Sequence, residues 1–268
     1  IVKSLGTDPR EQVNLLFYNF RAAGTTVSGH RILRNSGFLY EPGMFACILI
    51  PALAFNTIIR GSLSNKYNAV FIATILTTFS TAAYLALAAY LVLYGTTFKG
   101  FSLKRSIVVI AVVMVSAGAF WQLDFIGGKI EEQYERAYYG SYSQRYMGRI
   151  GSALVDLEEI KEHPLIGRGR HAETRFDQDE LFYNPHFTHR VNGIFSLMAS
   201  MGIPFFLFYT IYLSKSVSNA LALPHTHKYS WLIFLIPFLI MASSQTILLR
   251  PFFLSLLFLY PFKQSTSK

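Results

Sequence analysis

Four clusters of residues in this chain can do chemistry, and the chemistry they suit is holding an anion and moving a proton near neutral pH. The first is Arg34-Asn35-Ser36-Gly37-Phe38-Leu39-Tyr40-Glu41-Pro42-Gly43, which runs into an apolar stretch. Here Arg34 can hold an anion at the rim of a cavity, and Glu41 can orient a hydroxyl group or that arginine. A plainer reading also accounts for Glu41: with Pro42 in the first helical turn, a carboxylate there favours the positive end of the helix dipole. The second cluster is Arg145 and Arg149, followed by Ile150, Leu154, Leu157 and Ile160 at helical spacing and then His163-Pro164-Leu165-Ile166-Gly167-Arg168-Gly169. A planar guanidinium fork at the start of such a helix suits phosphate, the alternative being a solvated surface arginine. Arg168 and Arg170 are weaker candidates, and His163 reads as a helix cap.

The third cluster is His186-Phe187-Thr188-His189-Arg190-Val191-Asn192. Neutral imidazole is the side chain best matched to accepting a proton near neutral pH, so His189 and His186 are candidate bases; ordinary interfacial histidines are the alternative. No HExxH pattern or cysteine partner supports a metal there. The fourth, Asp177-Gln178-Asp179, fits a three-residue DxD pattern that holds a divalent ion in many sugar-nucleotide transferases, and in an acid-rich loop it is a weak signal. Tyr138, Tyr139 and Tyr142 can stack on sugar faces or sit as interfacial belt residues.

The elements that must position these residues are membrane helices. The 268 residues are 52% hydrophobic and 15% charged, and the apolar ones come in blocks. Gly43–Ile59, Tyr67–Tyr94, Ser106–Phe120, Val191–Leu213, Tyr229–Leu249 and Pro251–Phe262 carry almost no charge, and roughly 20 apolar residues span hydrocarbon. Five to seven passages are expected. The expected fold class is all-α, a polytopic transmembrane helical bundle with a large extracytoplasmic loop. The chain starts at Ile1 with no signal-peptide pattern, so it reads as the C-terminal part of a longer one. Cys47 lies inside an apolar block, which leaves no intramolecular disulfide or cysteine metal site to build.

Charge sets the expected topology. All fifteen acidic residues lie in two segments, three before Gly43 and twelve in Leu123–Arg190. The short connectors carry Arg60, Lys66, Lys99, Lys104, Arg105, Lys215 and Lys228, with Lys263 and Lys268 in the tail, nine cations without an anion. That is the positive-inside signature, so the net charge of +9 reports orientation rather than nucleic-acid binding. The expected domains are an extracytoplasmic segment 1–42, membrane helices 43–122, a large extracytoplasmic loop 123–190, and C-terminal helices with a short tail 191–268. Both polar segments can face outward only if an even number of crossings separates them. Thr77-Thr78-Phe79-Ser80-Thr81, in the middle of the 67–94 block, can supply the extra turn by splitting it into half-length helices. A break at membrane depth must border protein or a water-filled cavity, which makes Ser80 a candidate site residue; one tilted helix is the alternative.

At this point the sequence resembles the bacterial O-antigen polymerase and O-antigen ligase superfamily, the Wzy-like membrane glycosyltransferases. Four features in order carry the resemblance: Arg34-x-x-Gly37-Phe38-x-x-Glu41-Pro42-Gly43, then Thr78-x-Ser80-Thr81-x-x-Tyr84, then Arg149 ahead of Pro164-Leu165-Ile166-Gly167-x-Gly169, and finally Asn192 ahead of Gly202-Ile203. The resemblance implies transfer of a glycan from an undecaprenyl-diphosphate carrier to a sugar hydroxyl, outside the bacterial inner membrane, without metal or cofactor. It implies that Arg34 and Arg149, with Arg145, Asn192 and Ser80 nearby, bind the diphosphate and sugars, and that a residue near Asn192 acts as base. Val191 stands immediately before Asn192, so His189, His186 and Glu41 are the candidates. Ser80-Thr81, where ligases often carry Ser-Arg, points to the polymerase branch.

The implied partners are the lipid-linked oligosaccharide, membrane lipids and a chain-length regulator or flippase of the same pathway. Three other functions compete. One is the ligase reaction, polymer passed to a lipid core; another is a non-catalytic assembly subunit; the third is a polysaccharide or lipid transporter, which normally shows paired repeats and mid-membrane ionisable groups. The deep apolar blocks contain no such groups.

Overall fold

The structure is a computed structural model that describes residues 12–15, 18–21, 24–27, 30–39, 41–98, 107, 134–135, 149–170, 191–222 and 229–259. It divides into two compact units, one made of residues 1–127 with 236–241 and the other of residues 128–235 with 242–268.

The first unit opens with two antiparallel hairpins, β1 (Gln12–Leu15) with β2 (Tyr18–Arg21) and β3 (Gly24–Val27) with β4 (His30–Leu33). These are a departure from the expected all-helical chain. Thr25, Thr26, Val27 and Ile32 are β-branched and fit a pleated ladder better than a helix. From Pro42 onward every described element is helical, as expected.

Helix α1 (Pro42–Arg60) begins where Pro42 occupies the first turn and Glu41 is the extended N-cap; it ends where Gly61 takes φ 67° and its N–H bonds back to Ile58 O at 3.3 Å. Its 19 residues are long and apolar enough to cross a bilayer, the one such helix among those described. It packs against α2 (Lys66–Thr77) and α3 (Thr81–Leu93), the latter running into a π-helical turn at Tyr94–Phe98. One end of this three-helix unit is locked by a polar clasp. Asn68 is fully buried; its Nδ2 donates to Thr57 Oγ1 at 3.0 Å and to the carbonyls of Ser62 and Leu63, while its Oδ1 accepts from Asn56. Thr57 and Tyr90 share a further bond of 2.6 Å. Buried side-chain amides need such partners, and here nearly every group of Asn68 has one.

The second unit contains α4 (Arg149–Glu162), α5 (Gly193–Met201), α6 (Ile203–Ala220), the ends of α7 (Leu232–Ser244) and the short α8 (Pro251–Ser255), which continues as a 3₁₀ turn at Leu256–Phe258. The block 191–213, expected to be one passage, is interrupted at Gly202, which has φ 87° and ψ 162°. Pro204 follows within the first turn of α6 and has no N–H to continue a helix from α5. Two long-range bonds hold α6 to the C-terminal segment: Tyr209 OH donates to Leu248 O at 3.0 Å, and Ser216 Oγ donates to Leu256 O at 2.8 Å.

Candidate functional site

In the first unit the site residues gather at the break between α2 and α3. Helix α2 stops at Thr77 and α3 starts at Thr81, with Phe79 at φ 45°, a left-handed conformation unusual for a side chain of its size. Thr78 Oγ1 bonds back to Ile75 O at 2.7 Å and Tyr84 OH donates to Leu76 O at 2.6 Å, adding to the i→i+3 bonds that Thr78 N and Phe79 N make to the same two carbonyls at the helix end. The segment before α1 docks on this break. Arg34 Nε donates to Thr78 O at 3.1 Å, Asn35 N donates to Thr77 O at 2.9 Å, and Asn35 Nδ2 donates to Thr77 Oγ1 at 2.9 Å. A cation at the carbonyl end of a helix is also favoured by the dipole. Gly37, at φ 55°, lets the turn lie against Phe45: a Cβ there would meet the ring at 2.5 Å. Ser80 is buried at the cap of α3, while Glu41 stands apart in sequence at the cap of α1, and neither side chain makes the cap hydrogen bond.

In the second unit α4 and α5 run side by side in the same direction. At the start, Val191 N donates to Ser152 Oγ over a long 3.5 Å, one turn beyond Arg149. Asn192 caps α5, its side-chain oxygen accepting from Phe195 N at 3.1 Å. Arg149, the first residue of α4, and Asn192 thus share one end of the helix pair. At the other end the stretch 163–169 clasps the α5–α6 break. Arg168 N donates to Ala199 O at 2.9 Å, Gly169 N to Ser200 O at 3.0 Å, and Ile203 N to Pro164 O at 2.8 Å. A Cβ on Gly202 would stand 2.1 Å from Leu165 O, and one on Gly167 would stand 2.5 Å from the Ser200 carbonyl carbon. The glycines of the Pro164-Leu165-Ile166-Gly167-x-Gly169 and Gly202-Ile203 motifs are therefore the halves of one backbone junction.

The face of α4 that packs is not the apolar one expected from Ile150, Leu154, Leu157 and Ile160. Leu154 is exposed, and the buried positions are Gly151, Ser152, Asp156, Glu159 and Ile160. Ser152, Asp156 and Glu159 form a polar stripe at helical spacing, and the partner α5 offers the small residues Gly193, Ala199 and Ser200. Burial of two carboxylates is costly without partners. Arg168 pairs with Glu162, on the outside of this junction. His163 follows α4, and its carbonyl accepts from Gly167 N at 3.1 Å.

A pocket of about 450 Å³ lies along α5, lined by Gly193, Ser196, Leu197 and Ser200 on one side and by Thr246, Leu248, Leu249, Arg250 and Pro251 on the other, with Arg170 at its edge. Arg250 was not among the candidates drawn from sequence. The signal was present: it is the single charged residue between Lys228 and Lys263. Arg145, His186 and His189, together with Tyr138, Tyr139, Tyr142, Asp177 and Asp179, lie outside the described residues. Among the described residues no three His, Cys, Asp or Glu side chains converge as a metal site would need.

A family model described as O-antigen ligase matches residues 67–210, just over half of the chain. The chain belongs to the O-antigen ligase family. Comparison with curated proteins and with solved structures gives no match. The matched span takes in the α2–α3 break, α4, the clasp, α5 and the start of α6, whereas Arg34, Glu41 and Arg250 lie outside it. Proteins of this family are membrane proteins acting on lipid-linked polysaccharide, so this chain is a membrane enzyme of the glycosyltransferase-like class.

Proposed function

We propose that this O-antigen ligase family member polymerises undecaprenyl-diphosphate-linked oligosaccharide repeat units of a surface polysaccharide, on the extracytoplasmic side of the bacterial inner membrane, as a multi-pass protein. The observation carrying this reading is the common end of α4 and α5, where Arg149 opens one helix and Asn192 caps the other. A diphosphate departs without a general acid if fixed positive charge meets it in a low-dielectric site. In the proposed step the acceptor hydroxyl oxygen attacks the anomeric carbon, and the bond from that carbon to the diphosphate oxygen breaks. The bonding pair leaves with undecaprenyl diphosphate. The hydroxyl proton passes to a base, for which His189, His186 and Glu41 are the candidates. One displacement inverts the anomeric configuration, and no metal takes part. Arg149 holds the leaving group, with Arg145; Arg34, Ser80 and Asn192 position donor and acceptor.

The family description favours a second reading, ligation of finished polymer to a lipid core. A gel of surface polysaccharide from cells lacking the full-length gene separates the two. Loss of the ladder with one repeat unit still attached supports the polymerase; unattached polymer accumulating on its lipid carrier supports the ligase. Plasmid-borne Arg149→Ala and His189→Ala versions should fail to restore the ladder while still reaching the membrane, and full restoration by Arg149→Ala would end the diphosphate role.

A further inference from the structure

The pocket along α5 contains more positive charge than its surroundings explain. Arg250 interrupts a run of 34 otherwise uncharged residues between Lys228 and Lys263, and its side chain is exposed, as is that of Arg170. Its backbone is fixed: Arg250 N donates to Ile247 O at 2.9 Å, and its carbonyl accepts from Phe253 N and Leu254 N at 3.0 and 2.9 Å. Arg170 follows Gly169, itself bonded to Ser200 O, so the clasp fixes the approach of the second arginine. Among the described residues neither guanidinium has an ion-pair partner, whereas the neighbouring Arg168 has Glu162. The same pocket is lined by Gly193, Ser196 and Ser200, at helical spacing on α5, and by Thr246; the Ser200 hydroxyl donates to the Ser196 and Leu197 carbonyls. Gly193 is needed for this proximity, because a Cβ there would stand 2.3 Å from Gln245 O. Two guanidinium forks and a row of hydroxyl groups around about 450 Å³ make a pocket for an oxyanion attached to something polyhydroxylated.

We infer that this pocket binds an acidic group, carboxylate or phosphate, carried by a sugar of the polysaccharide substrate, as a subsite that does not include Arg149 or Asn192. The inference takes the glycan from family membership and does not depend on the role of Arg149.

The test uses full-length protein in nanodiscs of phosphatidylcholine, and reads the melting temperature with sodium glucuronate, inorganic phosphate or glucose, in wild type and in an Arg149→Ala background. Glucuronate, phosphate or both should raise the melting temperature by about 2–4 °C near saturation, in both backgrounds; glucose should leave it unchanged. Arg250→Gln and Arg170→Gln should each weaken the apparent affinity roughly tenfold, with Arg250→Lys intermediate. A shift with phosphate alone identifies the acidic group as a phosphate. No shift with either anion, or a shift that survives both glutamine variants, overturns the inference. So does stabilisation seen only in phosphatidylglycerol nanodiscs and lost in Arg250→Gln, since the partner is then a lipid headgroup. A shift lost in Arg149→Ala but kept in Arg250→Gln belongs to the diphosphate groups and also overturns it. Should Arg250→Gln fail to fold, Arg170→Gln reads the same pocket.

Discussion

The two helix breaks in this chain are built in different ways. At Thr78–Ser80, in the first unit, the interruption contains no glycine; the side chains of Arg34 and Asn35 reach across to Thr78 and Thr77, beside one backbone bond from Asn35 N to Thr77 O, and Phe79 accepts a left-handed backbone. At Gly202, in the second unit, the break is held among the described residues by backbone bonds. Carbonyls freed at the end of α5 receive N–H groups from 168 and 169, and Ile203 N is received by Pro164. Side-chain holds can be tuned or released one group at a time. A backbone junction that leaves no space for a Cβ cannot. The first construction therefore suits a place where a substrate competes for the arginine; the second suits a rigid platform for Arg149, Asn192 and Arg170.

The comparison can be broken most forcefully at Gly202. Its φ and ψ fall in a region open essentially to glycine alone, and the added Cβ would meet backbone rather than a movable side chain. Gly202→Val should cost about 3 kcal/mol or more and lower the yield of folded protein in a detergent thermal-melt assay; an unchanged melting temperature would show that the clasp does not hold the unit together. The next effect is at the far end of α2, where the hold is also made by side chains but is buried. Asn68→Leu strands partners on Asn56, Ser62 and Leu63 and should cost about 2 kcal/mol in the same assay. At the break itself Arg34→Ala removes the partly buried bond to Thr78 O, a loss of about 1 kcal/mol. Yet if Arg34 positions the diphosphate, glycan transfer should fall about a hundredfold, with little rescue by lysine, which lacks the fork. Loss of stability and activity in proportion would make Arg34 merely structural. The smallest expected effect is zero: EDTA should leave the transfer rate unchanged.

Much of this architecture is legible in the residues. The hydroxyl run Thr77-Thr78-Phe79-Ser80-Thr81 marks the α2–α3 break because such side chains serve stranded carbonyls, and Pro42 with Gly61 marks the ends of α1. The Gly202 break was hidden: 191–213 is uniformly apolar, and only the pairing of Gly202 with Pro204 signals it. The packed face of α4 was misread because apolar periodicity measures what avoids water, while Ser152, Asp156 and Glu159 are buried against a partner of small residues. The hairpins before α1 are short and their β-branched residues few. Arg250 was overlooked because it falls between two apolar blocks rather than in a polar loop, although isolation of that kind is itself informative.

The central claim is that Arg149, opening the rigid α4–α5 pair, carries the charge of the departing diphosphate. Full-length protein given a purified undecaprenyl-diphosphate-linked repeat unit tests it directly, with released undecaprenyl diphosphate and the anomeric configuration of the product followed together. Arg149→Ala should lower kcat by about a hundredfold or more, leave the protein folded in a thermal melt, and leave any residual product inverted. A wild-type rate in that variant, or product of retained configuration from the wild-type protein, would contradict the account.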